Sequence, residues 1–196
     1  AGSSDATWKI ISSINHPKLL AIKPQKNFGK GAAVASAVEK TTGKIILLID
    51  ADLLKFHPSH IDLLLIPFTI YSDCMVIGIR DSRHTHEKAL NILLKLFGGE
   101  RALKRNVIKK LLPRIKKSGY GIEAILNLYF ASHGSKIYYM PLPGIIHKIK
   151  TEKHPFYKYS VDFIKENADI IKQYLDPENK MLEAFFKQLL KRLKLD

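Results

Sequence analysis

Gly43-Lys44-Ile45-Ile46-Leu47-Leu48-Ile49-Asp50-Ala51-Asp52 is the stretch that decides how this chain is read. The apolar run from Ile45 to Ile49 is too short for a buried helix. It is rich in β-branched residues and follows a glycine, which predicts a strand with both faces covered. Strands of that kind belong to α/β sheets, whose ligands gather at the carboxyl ends of the strands. Here that end carries two carboxylates, Asp50 and Asp52. Residues i and i+2 of an extended segment point the same way, so both acids would be aimed into one crevice. They repel each other unless a cation or a proton sits between them. Hard oxygen donors of this type suit Mg²⁺ or Mn²⁺, usually beside a phosphate. Taken alone, Asp-x-Asp reads equally as a turn that closes a strand with two solvated acids.

Upstream lies Asn27-Phe28-Gly29-Lys30-Gly31-Ala32-Ala33, followed by a small-residue helix from Ala32 to about Lys40. The glycines free the backbone around Lys30, and N–H groups at such a helix start can face an anion. A Walker A loop is a poor match, because Gly31 follows Lys30 where that loop has Ser or Thr. The whole order (glycine-lysine-glycine loop, short helix, Gly43, apolar strand, Asp-Ala-Asp) resembles the nucleotide-sugar site of family 2 glycosyltransferases with the GT-A fold. The resemblance covers about residues 1–155. It implies an α/β fold with a mostly parallel central sheet flanked by helices and a short antiparallel element late in the chain. Residues 156–196 are read as C-terminal helices that pack on the domain, on a partner or on a membrane surface.

The resemblance also implies an activity. It is metal-dependent transfer of a sugar from a nucleotide-diphospho-sugar donor to a phosphorylated or lipid-linked acceptor. Asp50, Asp52 and His147 would hold Mn²⁺ or Mg²⁺, with His154 as a spare ligand. Asn27, Lys30, Asp50, Arg80 and Arg101 would bind the donor, the cations facing its phosphates. Asp5 joins them because Ala1 to Thr7 resembles the second half of the family's D-D-G-S-x-D-x-T motif. Glu123 and Asp52 would carry the catalysis, since related enzymes place an acid at the position of Glu123, facing the acceptor. The bland reading of Glu123 is a surface acid favoured by the dipole of its helix. Family members also have a strand, a helix and a second strand before the position of Ala1. The expectation is therefore a piece of a longer chain. Alone, it would leave an open sheet edge that self-associates or a protein that is poorly stable.

Other elements follow from local pattern. Helices are predicted from Ala6 to Ile14, from His57 to about Ile66 with Pro58 in the first turn, and from His84 to Phe97. Gly98 and Gly99 end the last of these. Glu100 to Arg105 resembles the family's G-x-R-A-x-R segment and is read as helical. Arg101 and Arg105 would then share one face, opposite Leu103, Val107 and Leu111, with Pro113 ending the helix. Lys18 to Lys23 and Asp73 to Ile79 are read as strands beside Ile45–Ile49, which would be central. A helix from Ala124 to His133, a strand from Lys136 to Met140, and helices at Val161–Leu175 and Met181–Leu195 complete the chain.

The 196 residues suit one domain with a sizeable core. The formal charge is +14 and is uneven: from Gly99 to Ser118 there are eight basic residues and one acid. Nucleic acid is disfavoured, because no recognition motif and no basic–aromatic interleaving is present. A phosphorylated acceptor or an anionic membrane surface fits better. The lone cysteine, Cys74, fits a reducing cytoplasm. The expected location is cytoplasmic, with peripheral contact on the inner face of the membrane, and homo-oligomerisation through the open edge. Competing readings are a nucleotidyltransferase and a P-loop hydrolase, each missing its glycine-rich loop, and a non-catalytic anion- or membrane-binding module.

Overall fold

A computed structural model describes residues 5–23, 29–80, 98–119 and 121–147. The expected helices at 84–97, 161–175 and 181–195, together with Asn27 and His154, lie outside the described residues. The elements in chain order are α1 (Thr7–Ser13), α2 (Gly29–Glu39), β1 (Ile45–Leu48), β2 (Leu53–Leu54) and α3 (Pro58–Leu65) with a 3₁₀ turn (Ile66–Thr69). Then come β3 (Cys74–Arg80), β4 (Arg101–Lys104), α4 (Arg105–Ile115), α5 (Ile122–Ser132), β5 (Lys136–Leu142) and β6 (Ile146–His147).

The main sheet has the order β1-β4-β3-β5. β4 is antiparallel to both β1 and β3, and β5 is parallel to β3. Three of the four strands therefore run the same way, and the sheet is mixed because β4 is inserted against them. A separate antiparallel ribbon joins β2 to β6, with Leu53 opposite His147.

Alternation along the strands sends side chains to two cores. Ile46, Met75, Ile77 and Leu103 face α2, α4 and α5 on one side. Val76, Ala102 and Leu142 join Leu64 of α3 on the other, with Ile45 and Leu47 packed against them. Apolar residues on both faces of β1 thus report helices on both sides of the sheet. They do not report neighbours on both edges: β1 is an edge strand among the described residues, not the central one expected.

Two further expectations are corrected here. Lys18 to Lys23 forms no strand; after a turn at residues 17 and 18 the segment is irregular. Arg101 to Lys104 is a strand, not the first turn of a helix. Its burial explains why: Ala102 and Leu103 are both fully buried, on opposite faces of the sheet. The four-residue spacing from Leu103 through Val107 to Leu111 imitated one continuous helix, but the helix starts at Arg105.

α4 also runs through Pro113 to Ile115. Pro113 lacks the N–H that would bond the carbonyl four residues back, which costs helix stability. Ile115 is fully buried in the core, so the last turn is held by packing rather than propensity. The buried stripe of α4 is Val107, Ile108, Leu111 and Ile115. Each such side chain contributes about 1.5–3 kcal/mol on leaving water. The opposite side carries Lys109, Lys110, Arg114, Lys116 and Lys117, all exposed.

α2 crosses the end of α4 at unusually close range. A Cβ placed on Gly31 would lie 2.2 Å from the Ile115 carbonyl oxygen and 2.6 Å from Ser118 Oγ. The Gly31 N–H donates to the Gly119 carbonyl at 2.8 Å. Glycine is thus required at 31 by backbone contact. Gly31→Ala should destabilise the fold by about 1–3 kcal/mol, the usual range for overpacking. Chemical denaturation read by circular dichroism checks this, and an unchanged midpoint would contradict the close approach.

Candidate active site

The site is assembled at the carboxyl end of β1. β1 ends at Leu48, so Asp50 lies beyond the strand, and Ala51 and Asp52 form a turn. Asp50 and Asp52 are therefore not two residues of one extended segment. Asp50 is partly buried and Asp52 exposed. The Asp50 carboxylate sits against Gly99: a Cβ there would come within 2.1 Å of Asp50 Oδ2. Gly99, read from sequence only as a helix terminator, is the floor under this acid.

Lys30 rises from the first turn of α2 and bonds two acids. Its Nζ donates to Glu123 Oε1 at 2.7 Å and to Asp50 Oδ1 at 3.1 Å. Burial disfavours the ammonium, but Coulomb attraction to Glu123, and next to Asp50, outweighs it and raises the Lys30 pKa above the ordinary lysine value. Glu123 stands in the first turn of α5 with a side chain only 6% exposed. Its Oε2 is buried with no hydrogen-bond partner among the described residues. The reading of Glu123 as a surface acid therefore does not hold.

Four residues further along α5, on the same helix face, is Asn127. Its Oδ1 accepts from Arg101 Nη1 at 2.5 Å, and Arg101 Nε donates to the Gly98 carbonyl at 2.7 Å. Arg101 is completely buried. It does not share a helix face with Arg105, whose Nη1 donates to the Thr41 carbonyl. α5 thus presents one polar pair, Glu123 and Asn127, to two cations, Lys30 and Arg101. The Glu123-x-x-x-Asn127 spacing was the available signal for that pair.

Lys30, Asp50, Gly99, Arg101 and Glu123 line a cleft of about 190 Å³ whose remaining walls are apolar, including Leu48 and Leu126. His147 is placed by backbone pairing opposite Leu53, the residue after Asp52. Arg80 ends β3 in register with Leu142. The side chains of Arg80 and His147 lie outside the described residues. Asp5 stands apart from the cleft residues, exposed, and accepts a hydrogen bond from the Thr7 N–H at 3.0 Å. The Thr7 hydrogen bonds hold its carboxyl below the usual range. Among the described residues no three His, Cys, Asp or Glu side chains converge as a ready-made metal cage.

Residues 1–106 match the profile of glycosyl transferase family 2. The chain belongs to that family. A dolichyl-phosphate beta-glucosyltransferase of Trichomonas vaginalis is 32% identical over 104 residues, covering 50% of this chain and 31% of that protein. Among solved structures, glucosyl-3-phosphoglycerate synthase from Mycobacterium tuberculosis with Mn²⁺, uridine diphosphate and phosphoglyceric acid superposes with a TM-score of 0.54. Identity there is 22%, over 80% of this chain and 55% of that one. A mycobacterial protein superposes with a TM-score of 0.59 at 23% identity, over 89% of this chain and 61% of that one. These likenesses establish the GT-A fold. The family 2 chain described here spans about a third of the curated relative and little more than half of the solved structures.

The Lys30–Glu123 pair has a testable energetic signature. Lys30→Met leaves a buried carboxylate without its cation and should destabilise the protein by about 2 kcal/mol, below the cost of breaking a fully buried pair. Because the folded lysine pKa is raised, the stabilisation is fully present below the unfolded value of about 10.4 and is lost as pH climbs through the folded value. The stability gap between wild type and Lys30→Met should stay constant from neutral pH to mildly alkaline pH and close only above that. Urea titrations across the pH series check it; a gap that closes near neutrality would contradict the pairing.

Proposed function

We propose that this chain carries the donor site of a sugar transferase that uses a nucleotide-diphospho-sugar. The observation that carries the reading is the charged cluster Lys30–Asp50–Glu123 in a cleft at the end of β1, in a chain of this family. The nucleotidyltransferase, P-loop and non-catalytic readings have no comparable support.

The donor set fits a Mn²⁺ or Mg²⁺ ion in chemical type. Asp50 and Asp52 offer hard oxygens at a turn, and the pairing of His147 with Leu53, the residue after Asp52, supports keeping His147 in the set. Mg²⁺-type sites commonly take only one or two carboxylates and complete their shell with water and substrate phosphate, so a three-residue protein cage is not needed. A divalent ion held there supplies charge that stabilises the diphosphate leaving group. Lys30 adds positive charge to the same region, as does Arg101 from beneath the cleft, where negative charge develops as the sugar departs. Arg80 and Asn27 are kept in the donor-binding set by the family resemblance.

Glu123 lines the cleft, with one oxygen on Lys30 and the other without a partner among the described residues. That buried oxygen keeps its acceptor capacity for a substrate hydroxyl. With an alcohol acceptor, Glu123 Oε2 takes the hydroxyl proton as general base. With an anionic phosphate acceptor no proton has to be removed, and Glu123 orients the reacting partner. A phosphorylated acceptor is favoured because the dolichyl-phosphate glucosyltransferase and the phosphoglycerate enzyme each name one. The exposed cations of α4 suit such an acceptor, or the anionic membrane surface in which a lipid-linked one resides. The location proposed with this reading is cytoplasmic, peripheral to the inner face of the membrane.

Two measurements test the reading. Asp52 is exposed in a turn, so Asp52→Ala should keep the fold, read by circular dichroism, while removing the gain in uridine diphosphate affinity that Mn²⁺ gives the wild type. Equal wild-type affinity in Mn²⁺ and in chelator, by titration calorimetry, would refute the metal role. Charge reversal at Lys109, Lys110 and Arg114 should weaken binding to phosphatidylserine vesicles at least tenfold at low salt. Added salt should weaken wild-type binding steeply, because exposed charges are screened within about 8 Å at physiological ionic strength. Wild-type-like vesicle binding by the reversed variant would remove α4 from the acceptor side.

A further inference from the structure

We propose that Lys30 is a resident counter-ion that must be exchanged at Asp50 for the divalent cation, so that the metal enters only when a diphosphate draws the ammonium aside. The inference rests on the donor-site reading above and deepens it.

Three observations point this way. First, Lys30 Nζ already occupies Asp50 Oδ1 at 3.1 Å, an oxygen a divalent ion would need. An ammonium and a metal ion cannot share one lone-pair direction at bonding distance, and their like charges repel. Second, the two contacts of Lys30 differ. The bond to Glu123 is shorter, at 2.7 Å, and its acid is nearly sealed from water; the bond to Asp50 is longer and both of its partners are about one-third exposed. Moving Lys30 off Glu123 would strand a buried carboxylate, whereas Asp50 can be released toward another cation at lower cost. Third, Asp50 itself cannot retreat from the exchange, because its carboxylate rests on the Gly99 backbone.

The sequence of events follows from charge alone. Without nucleotide, the Lys30 ammonium is shared between Asp50 and Glu123, and a bare divalent cation competes with this covalently tethered charge. A diphosphate entering the cleft offers Lys30 a new anion while Glu123 stays bonded to it. Asp50 Oδ1 then exchanges its contact with Lys30 for one with the metal beside Asp52. Binding of metal and of nucleotide are thereby coupled, and the coupling is reciprocal.

The test measures Mn²⁺ binding by electron paramagnetic resonance, with and without saturating uridine diphosphate, in the full chain. Wild type should bind bare Mn²⁺ weakly and tighten at least tenfold with uridine diphosphate. Lys30→Met and Lys30→Gln should bind bare Mn²⁺ several-fold more tightly than wild type and lose most of the tightening. Lys40→Met, which removes the same charge just past the far end of α2, should match wild type. Circular dichroism confirms that the variants are folded. If Lys30→Met fails to fold, Lys30→Met/Glu123→Gln removes the stranded charge and is read the same way. Bare Mn²⁺ affinity unchanged in the Lys30 variants, or raised equally by Lys40→Met, overturns the exchange and leaves the donor-site reading intact. Wild type that binds no Mn²⁺ even with uridine diphosphate overturns both.

Discussion

The ion pair between Lys30 and Glu123 is the constraint on which the site depends. Burying a carboxylate that is 6% exposed is costly without a cationic partner, and the partner comes from an element far away in sequence. At an effective dielectric near 20 the bare attraction of two unit charges 4 Å apart is about 4 kcal/mol. That is large enough to overcome the burial of the ammonium, and the upward direction of the Lys30 pKa agrees. Lys30 can reach Glu123 only if α2 seats tightly on the end of α4. That seating depends on Gly31 lying against Ile115 and Ser118, with its N–H bonded to Gly119. Backbone packing thus comes first, the ion pair second, and the shape of the cleft third.

The same logic runs one turn along α5. Every side chain from Ile122 to Leu128 is buried, so the polar ones in that run need partners inside the protein. Glu123 meets Lys30, and Asn127 meets Arg101. Arg101 enters from β4, in register with Leu48 of β1 and Ile77 of β3. A strand inserted between β1 and β3 is what carries a fully buried guanidinium to the underside of the cleft. The cation expected on an open helix face instead acts as part of the floor, and the exposed cations of α4 form a separate surface.

Much of the frame was legible because it rests on short-range pattern. The apolar run after Gly43, the small-residue helix after Gly29, the strand at Cys74 and the helix after Gly121 all appear within a few residues of expectation. What was illegible depends on lateral neighbours. Ile45–Ile49 is apolar on both faces whether it is central or at an edge, since sequence records the layers above and below a strand but not the chain beside it. Leu103, Val107 and Leu111 keep a helical spacing across a strand–helix junction, so β4 looked helical. In the site, Lys30, Asp50 and Glu123 were each singled out, but their mutual contact joins positions 93 residues apart and leaves no local trace. Gly99 was seen as a breaker, because the carboxylate that requires its missing Cβ comes from Asp50, just beyond β1 and distant in sequence.

The early end of β1 makes the two aspartates unequal. Had the strand continued to Asp52, both carboxylates would point into one crevice and repel. Instead Asp50 turns inward onto Gly99 and Lys30, while Asp52 is exposed in the turn that leads into the β2–β6 ribbon. The repulsion is relieved by geometry and by the Lys30 ammonium on Asp50. An inner acid with a fixed position and a resident counter-ion suits charge exchange. An outer, exposed acid suits first capture of a hydrated cation, since Mg²⁺-type ions give up their water reluctantly. The division follows from one strand stopping two residues before its first carboxylate.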